Sequence, residues 1–135
     1  MISDTSALMA VLLHEPGSDH IAQIIADELR AGRPIGIGAP TLVEASIVVT
    51  ARLGHAGQVL LDSVVDNGQL VAINFRMEHY RAAAVAFAKY GKGRHPAGLN
   101  FGDCLTYAIA QVAQQPLLCV GFDFAQTDIP LVPLI

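Results

Sequence analysis

The stretch Asn100-Phe101-Gly102-Asp103-Cys104-Leu105-Thr106-Tyr107-Ala108 organises this chain. It follows a loop rich in glycine and basic residues, and it opens an apolar helix that we predict to reach about Gln114. Asp103 falls in the first turn of that helix, where unpaired N–H groups and the helix dipole favour a negative charge. We therefore expect an ionised carboxylate at the start of this helix.

The composition is that of a single folded domain. The chain has 135 residues, of which 53% are hydrophobic and 15% are charged. This balance favours one compact domain over residues 1–135 and excludes a disordered chain. No apolar run reaches the roughly 18 to 20 residues of a membrane span. No basic segment precedes Asp4, so we expect no signal peptide and a cytoplasmic protein without membrane attachment.

The cysteines and histidines show no zinc-binding pattern. Cys104 and Cys119 lie in apolar segments, which favours buried free thiols over a disulfide. The five histidines show no His-x-x-x-His spacing and there is no Cys-x-x-Cys pair, so a zinc site is not expected.

Short apolar runs alternate with longer segments of helical periodicity. We predict helices at residues 5–13, 18–30, 41–53, 56–65, 77–90 and 100–114. The predicted strands are residues 1–3, 35–39, 70–74 and 117–121, with a last edge strand at 131–134. Strands that are apolar throughout and alternate with helices are typical of an α/β/α fold with a central parallel sheet. In such sheets ligands bind beyond the carboxyl ends of the strands.

Four acidic residues occur at junctions between these elements: Asp4, Glu44, Asp103 and Asp123. Each has a local structural alternative. Asp4 would cap the helix that starts near Thr5, Glu44 would pair with Thr41 in a capping box, Asp103 would stabilise its own helix N-terminus beside Asn100, and Asp123 would form an Asx-turn.

Taken together, the four acids favour a site for a divalent metal ion. Carboxylates near apolar strand ends are costly unless they are paired or bound to metal, and few basic residues are close in sequence. Mg²⁺ prefers carboxylate and water ligands, and such an ion lowers the pKa of bound water and neutralises charge on a phosphate. Small polar side chains near the acids are expected to orient ligands or water, although each is equally a helix cap: Thr5, Ser6, Asn100 and Thr106.

The protein is acidic, but its basic residues are concentrated in one segment that could bind nucleic acid. The net charge is −4, which is unfavourable for such binding. However, five of the eight basic residues lie between positions 76 and 94, with Glu78 as the only acid there. This segment is either a solvated helix face or a surface that contacts phosphates, and the candidate contacts are Arg76, Arg81, Lys92 and Arg94.

Several motifs of the chain resemble those of PIN-domain proteins, and their order and spacing resemble the VapC-type toxins of bacterial toxin–antitoxin pairs over essentially the whole chain. The motifs are Asp4-Thr5-Ser6-Ala7-Leu8, Glu44 in a helix after Pro40, Asn100-Phe101-Gly102-Asp103-Cys104-Leu105, and Gly121-Phe122-Asp123-Phe124 with Thr127-Asp128 behind it. The third of these is the most specific.

The resemblance implies a parallel sheet of order 3-2-1-4-5 with helices on both faces. It implies a Mg²⁺- or Mn²⁺-dependent endoribonuclease that acts on structured RNA such as tRNA or rRNA. By matching position, Asp4, Glu44, Asp103 and Asp123 would be the acidic residues, with Asp128 as an alternative for the fourth. The resemblance also implies a homodimer and a small cognate antitoxin that blocks the site.

Other α/β classes fit the sequence less well. A phosphatase with Asp4 as nucleophile would need an acid two residues later, where Ser6 stands. A phosphorylation receiver would need an aspartate after the third strand, where Asn74 stands. A non-catalytic nucleotide- or RNA-binding module stays open as the alternative, although Gly36-x-Gly38 and Gly91-x-Gly93 are too short for a dinucleotide or P-loop signature.

Overall fold

The computed structural model describes residues 1–134, which form a parallel four-stranded sheet between two layers of helices. The strands are β1 (Ile2–Ser3), β2 (Ile35–Gly38), β3 (Leu70–Ile73) and β4 (Leu117–Leu118), in the order β3-β2-β1-β4. The helices are α1 (Thr5–Leu12), α2 (Ser18–Arg30), α3 (Ala39–Leu53), α4 (His55–Asp66), α5 (Met77–Tyr90) and α6 (Phe101–Ala113), with a 3-10 turn at Phe124–Gln126.

The two faces of the sheet carry different helices. Ile2 and Leu117 pack against residues of α5 and α6, whereas Ile35 and Ile37 pack against α1, α3 and α4. Leu118 packs with α1 and α2. Successive residues of a strand point to opposite faces, so both faces of these short strands need apolar side chains. The predicted three-layer α/β/α architecture is confirmed.

The fifth strand is shorter than predicted. Strand order 3-2-1-4 is confirmed, but the fifth position is reduced to a single parallel bridge between Leu117 and Leu131. The Leu117 N–H donates to the Pro130 carbonyl at 2.8 Å, and the Val132 N–H donates to the Leu117 carbonyl at 2.9 Å. Pro130 and Pro133 have no N–H, so a longer hydrogen-bonded ladder cannot form there.

Strand β4 also ends earlier than the sequence predicts, at Leu118 rather than residue 121. The Val120 N–H donates to Ser6 Oγ at 3.0 Å instead of continuing a strand ladder. Gly121 then takes φ = +103°, a conformation that L side chains rarely adopt. The chain therefore leaves the sheet at the end of β4 and passes over the N-terminus of α1.

Most predicted helix bounds lie within one or two residues of the observed ones, and α5 is found where it was predicted. Helix α3 is the informative exception, because it begins at Ala39 with Pro40 in its first turn. Proline is pre-organised for that position. Thr41 thus lies inside the helix, and the capping box predicted between Thr41 and Glu44 is wrong.

Both cysteines are buried free thiols, as predicted. No helix within residues 1–134 combines the length and the apolar character that crossing a bilayer demands.

Candidate active site

Asp4 is the buried carboxylate of the site, at the point where β1 gives way to α1. It is the N-cap of α1, and its Oδ2 accepts hydrogen bonds from the Ser6 N–H (3.1 Å) and Ser6 Oγ (2.7 Å). Its Oδ1 accepts from Thr106 Oγ1 of α6 at 3.0 Å. Its side chain takes part in none of the ion pairs formed among residues 1–134. Neutral donors alone surround a carboxylate that is only 8% exposed.

A chain of threonine hydroxyls holds Asp4 in place. Thr106 Oγ1 lies 3.1 Å from Thr41 Oγ1, and Thr5 Oγ1 donates to the Thr41 carbonyl at 3.5 Å. All three threonines are buried. The network joins α1, α3 and α6 around one carboxylate, and Thr5 reaches Asp4 only through these partners. Sequence patterns pointed to Thr41 as a helix cap and therefore missed its place beside Thr106.

Asp103 lies in the first turn of α6 and shares a capping box with Asn100. The Asn100 N–H donates to Asp103 Oδ2 at 3.0 Å, and the Asp103 N–H donates to Asn100 Oδ1 at 2.8 Å. Partial burial raises the pKa of Asp103, the hydrogen bond from Asn100 lowers it, and the charges of Asp4, Asp123 and Glu44 raise it further. Asp4, Asp123 and Glu44 therefore all lie near enough to Asp103 for their charges to act on it.

Glu44 reaches this site from the exposed side of α3. A Cβ atom added at Gly102 would lie only 2.6 Å from Glu44 Oε2 and 3.5 Å from Asn100 Oδ1. The backbone of the first turn of α6 is thus the surface against which the Glu44 carboxylate rests. Any side chain at position 102 would therefore push the Glu44 carboxylate away from this turn.

Asp123 and Asp128, the two candidates for the fourth acid, have different surroundings. Asp123 is exposed and makes no capping hydrogen bond to the 3-10 turn that follows it, so the predicted Asx-type alternative is not formed at that turn. Burial raises the pKa of Cys119 to about 11, and Asp4, Asp103 and Asp123 add to the shift. Asp128 instead accepts a hydrogen bond from the Tyr107 hydroxyl at 2.5 Å and lies 4.0 Å from Lys89 Nζ. The charge of Asp123 thus acts on Asp103 and Cys119, and its role as the fourth acid stays a prediction.

The donor set suits a hard divalent cation, although it does not form a closed cage. Within residues 1–134, no three Asp, Glu, His or Cys side chains are near enough to make a ready metal-binding group. The groups that converge are carboxylate oxygens, which Mg²⁺ and Mn²⁺ prefer together with water. Burial is the main cause that raises the pKa of Asp103, and the nearby charges of Asp4, Asp123 and Glu44 add to it; a bound cation offsets like-charge repulsion of this kind. The residues present therefore fit such an ion, and its ligand assignment stays a prediction.

The four basic residues named as phosphate contacts are all exposed: Arg76, Arg81, Lys92 and Arg94. None takes part in the ion pairs found in the described part of the chain. The Arg94 guanidinium lies 5.6 Å from the centre of the Phe87 ring. Lys89 differs, because it lies near Asp128 and 5.0 Å from the Tyr90 ring centre. Contact of these four residues with RNA stays a prediction.

An open apolar groove of about 910 Å³ lies beside Glu44, between α3 on one side and α5 and α6 on the other. Several of its lining side chains are strongly exposed, among them Ile47 at 64%, Val43 at 59% and Phe101 at 80%. This surface was not predicted from the sequence. The available signal was the run of apolar residues in α3, which exceeds what one buried helix face needs.

Comparisons with known proteins show the family and the fold of this chain. The family model described as "PIN domain" matches residues 1–130. Ribonuclease VapC36 of Mycobacterium tuberculosis is 44% identical over 129 residues, which cover 96% of this chain and 91% of that protein. Ribonuclease VapC of Mycolicibacterium smegmatis is 38% identical over 133 residues, covering 98% and 99%.

Solved structures give the same fold. Mycobacterium tuberculosis VapC20, described as a sarcin-ricin loop cleaving toxin, superposes with a TM-score of 0.75 at 16% identity, over 97% of each chain. A chain of the VapBC2 complex of Rickettsia felis, bound to a DNA fragment from its promoter, gives a TM-score of 0.78 at 15% identity. That match covers 97% of this chain and 96% of the other.

Proposed function

This chain belongs to the PIN domain family, as a ribonuclease toxin of the VapC type, and on that premise we propose that it is a Mg²⁺- or Mn²⁺-dependent endoribonuclease. It would be the toxin of a type II toxin–antitoxin pair and would hydrolyse phosphodiester bonds in structured RNA, with tRNA or rRNA as the substrate class. The observation that carries the proposal is that α6 brings three acids together: Asp103 lies in its first turn, Glu44 lies against Gly102 of that turn, and Asp4 accepts a hydrogen bond from Thr106 in the next turn.

We assign the metal to Asp4, Glu44, Asp103 and Asp123. A bound ion would supply neutralisation of charge on the scissile phosphate and a water of lowered pKa. The hydroxyls of Ser6 and Thr106 would keep the Asp4 carboxylate in position, because each donates a hydrogen bond to one of its two oxygens. Asn100 would keep Asp103 oriented through the capping box. Carboxylates that are held rigidly would keep the metal, and with it the phosphate, in the geometry that in-line attack requires.

The exposed cations would bind the RNA backbone. Arg76, Arg81, Lys92 and Arg94 are free of intramolecular ion pairs with described residues, so their charge is available to phosphates. These exposed cations partly offset the net charge of −4 in the segment that carries them. RNA affinity should therefore fall steeply with salt, since each phosphate contact releases bound counterions.

The test is cleavage of a mixed small-RNA pool by the purified protein with Mg²⁺ or Mn²⁺, with EDTA, and by the Asp103→Asn variant. Discrete fragments should appear with metal and disappear with EDTA and in the variant. Asp128→Asn is the matched control, because Asp128 is bound by Tyr107 instead of facing the other acids, and it should still cut. Metal-independent fragments, or cleavage by Asp103→Asn, would contradict the assignment. Metal-independent RNA binding without cleavage would favour the non-catalytic binding module.

We also propose a homodimer and a cognate antitoxin as protein partners. The apolar groove beside Glu44 supports a second copy of the chain, because exposed apolar side chains of α3 border it and such surfaces mark protein interfaces. Ile47→Asp should shift the protein from dimer to monomer in analytical ultracentrifugation. Val59→Asp, on α4 and 53% exposed, is the matched control and should leave the dimer intact. Dissociation by both variants, or by neither, would place the interface elsewhere.

A further inference from the structure

Phe122 is the most exposed of the large apolar side chains in the described part of the chain, at 84%. It directly precedes Asp123, one of the four acids, and it does not line the apolar groove beside Glu44. An isolated exposed apolar side chain is ordinary. Phe122 differs from such residues because it lies next to a candidate catalytic carboxylate in a segment whose backbone is anchored on both sides.

The backbone on both sides of Phe122 is anchored. Before it, the Val120 N–H donates to Ser6 Oγ, and the same hydroxyl donates to Asp4 Oδ2. After it, Phe124 is only 4% exposed and packs into the core with α5 and α6. The exposed ring therefore belongs to a short segment that is fixed at both ends. One end is hydrogen-bonded to Ser6, which binds Asp4, and the other end packs into the hydrophobic core.

We propose that Phe122 is a stacking platform for an unpaired nucleobase next to the scissile phosphate; this inference rests on the proposed ribonuclease function. The face of an aromatic ring binds any base by stacking, and such contacts are how proteins hold nucleotides that are splayed out of a helix. The phosphate of that nucleotide would lie at the acids, and the free cations would hold the backbone on either side. The substrate would accordingly be a loop, bulge or other single-stranded segment.

The chain contains no tryptophan, so the fluorescence of one introduced tryptophan reports on this contact alone. Phe122→Trp in the non-cleaving Asp103→Asn background places a single indole at the platform. Titration with a uridine oligonucleotide should quench its fluorescence, whereas the same strand paired with an adenosine oligonucleotide should quench it far less. Equal quenching by both probes would overturn the proposal.

The aromatic character of the ring is tested by Phe122→Leu, which keeps apolar bulk and removes the π face. It should weaken binding of the uridine oligonucleotide roughly tenfold or more, as expected for one lost base stack, and leave duplex binding unchanged. Phe122→Trp should bind at least as tightly as wild type. Unchanged affinity of the Leu variant for the single strand would sink the inference.

Three further outcomes separate this inference from its premises. If wild type cuts the RNA pool and Phe122→Leu cuts equally well, only the stacking role fails. If wild type neither cuts nor binds RNA, the proposed function fails and the inference fails with it. If Phe122→Leu spares RNA binding but dissociates the homodimer in ultracentrifugation, the ring belongs to a protein interface instead.

Discussion

Replacing Gly102 by alanine should lower cleavage activity without lowering the stability of the fold. The new Cβ would stand 2.6 Å from Glu44 Oε2, so the carboxylate must retreat by about 0.8 Å to reach an ordinary contact of 3.4 Å. Glu44 is exposed and its side chain is flexible, so the retreat costs little folding energy. Alanine also favours a helix over glycine by up to about 1 kcal/mol. The variant should therefore be as stable as wild type or more stable.

Cleavage should behave in the opposite way. Displacing a reacting group by about 1 Å can cost on the order of a hundredfold in rate, so we expect Gly102→Ala to lose roughly ten- to a hundredfold in kcat/KM. Thermal unfolding with and without Mn²⁺ and cleavage of a defined RNA would be measured on the same preparation. In the metal-free protein the melting temperature should hold or rise, while the stabilisation by Mn²⁺ shrinks.

A double-mutant cycle with Glu44→Ala identifies the cause. Once the Glu44 carboxylate is gone, adding Gly102→Ala should have little further effect on Mn²⁺-induced stabilisation, since the two substitutions act on one contact. Full activity of Gly102→Ala would refute this account. So would an equal loss of Mn²⁺ stabilisation whether or not Glu44 is present.

Three other substitutions have distinct signatures. In the metal-free protein, burial and like charges raise the pKa of Asp103. The wild-type protein should therefore lose stability as pH rises above 3.8, the ordinary pKa of aspartate. Asp103→Asn should not show that loss, and it should melt at a higher temperature than wild type at neutral pH in EDTA. Thr106→Val removes the hydroxyl that donates to the buried Asp4 and should cost roughly 1.5 to 3 kcal/mol in denaturant unfolding, while Thr106→Ser should recover most of it. Tyr107→Phe removes a hydrogen bond that lowers the pKa of the exposed Asp128, so it should cost at most about 1 kcal/mol above pH 3.8 and progressively less as pH falls below that value. A cost for Tyr107→Phe that is the same at acidic and neutral pH would argue against the Asp128 contact.

The sequence predicts the layers of this fold well, because most of its strands lie in continuous apolar runs and its helices have clear starts and stops. The capping box of Asn100 and Asp103 could be predicted from spacing alone, as could the N-cap role of Asp4. Capping and metal binding are not alternatives at these positions. A residue that caps a helix at the carboxyl edge of a parallel sheet already points toward the place where ligands bind.

Other features depend on contacts that local patterns do not encode. Thr41 and Glu44 have the spacing of a capping box, but Pro40 starts α3 earlier and frees both side chains for tertiary contacts. The end of β4 is set by Ser6, a partner 114 residues away. The last edge strand looked plausible from its apolar residues, yet its prolines limit it to one bridge. In each case a distant or missing hydrogen bond overrides a local preference.

The central position of β1 has a consequence for synthesis of the protein. Strand β1 lies between β2 and β4, and Ile2 is paired with Leu117. At about 5 to 20 residues per second, a ribosome needs roughly ten seconds to pass from the first of these strands to the last. Until then Asp4 lacks both Thr106 and the anchor at Val120. A growing chain therefore carries an incomplete carboxylate cluster until Thr106 and Val120 have been synthesised.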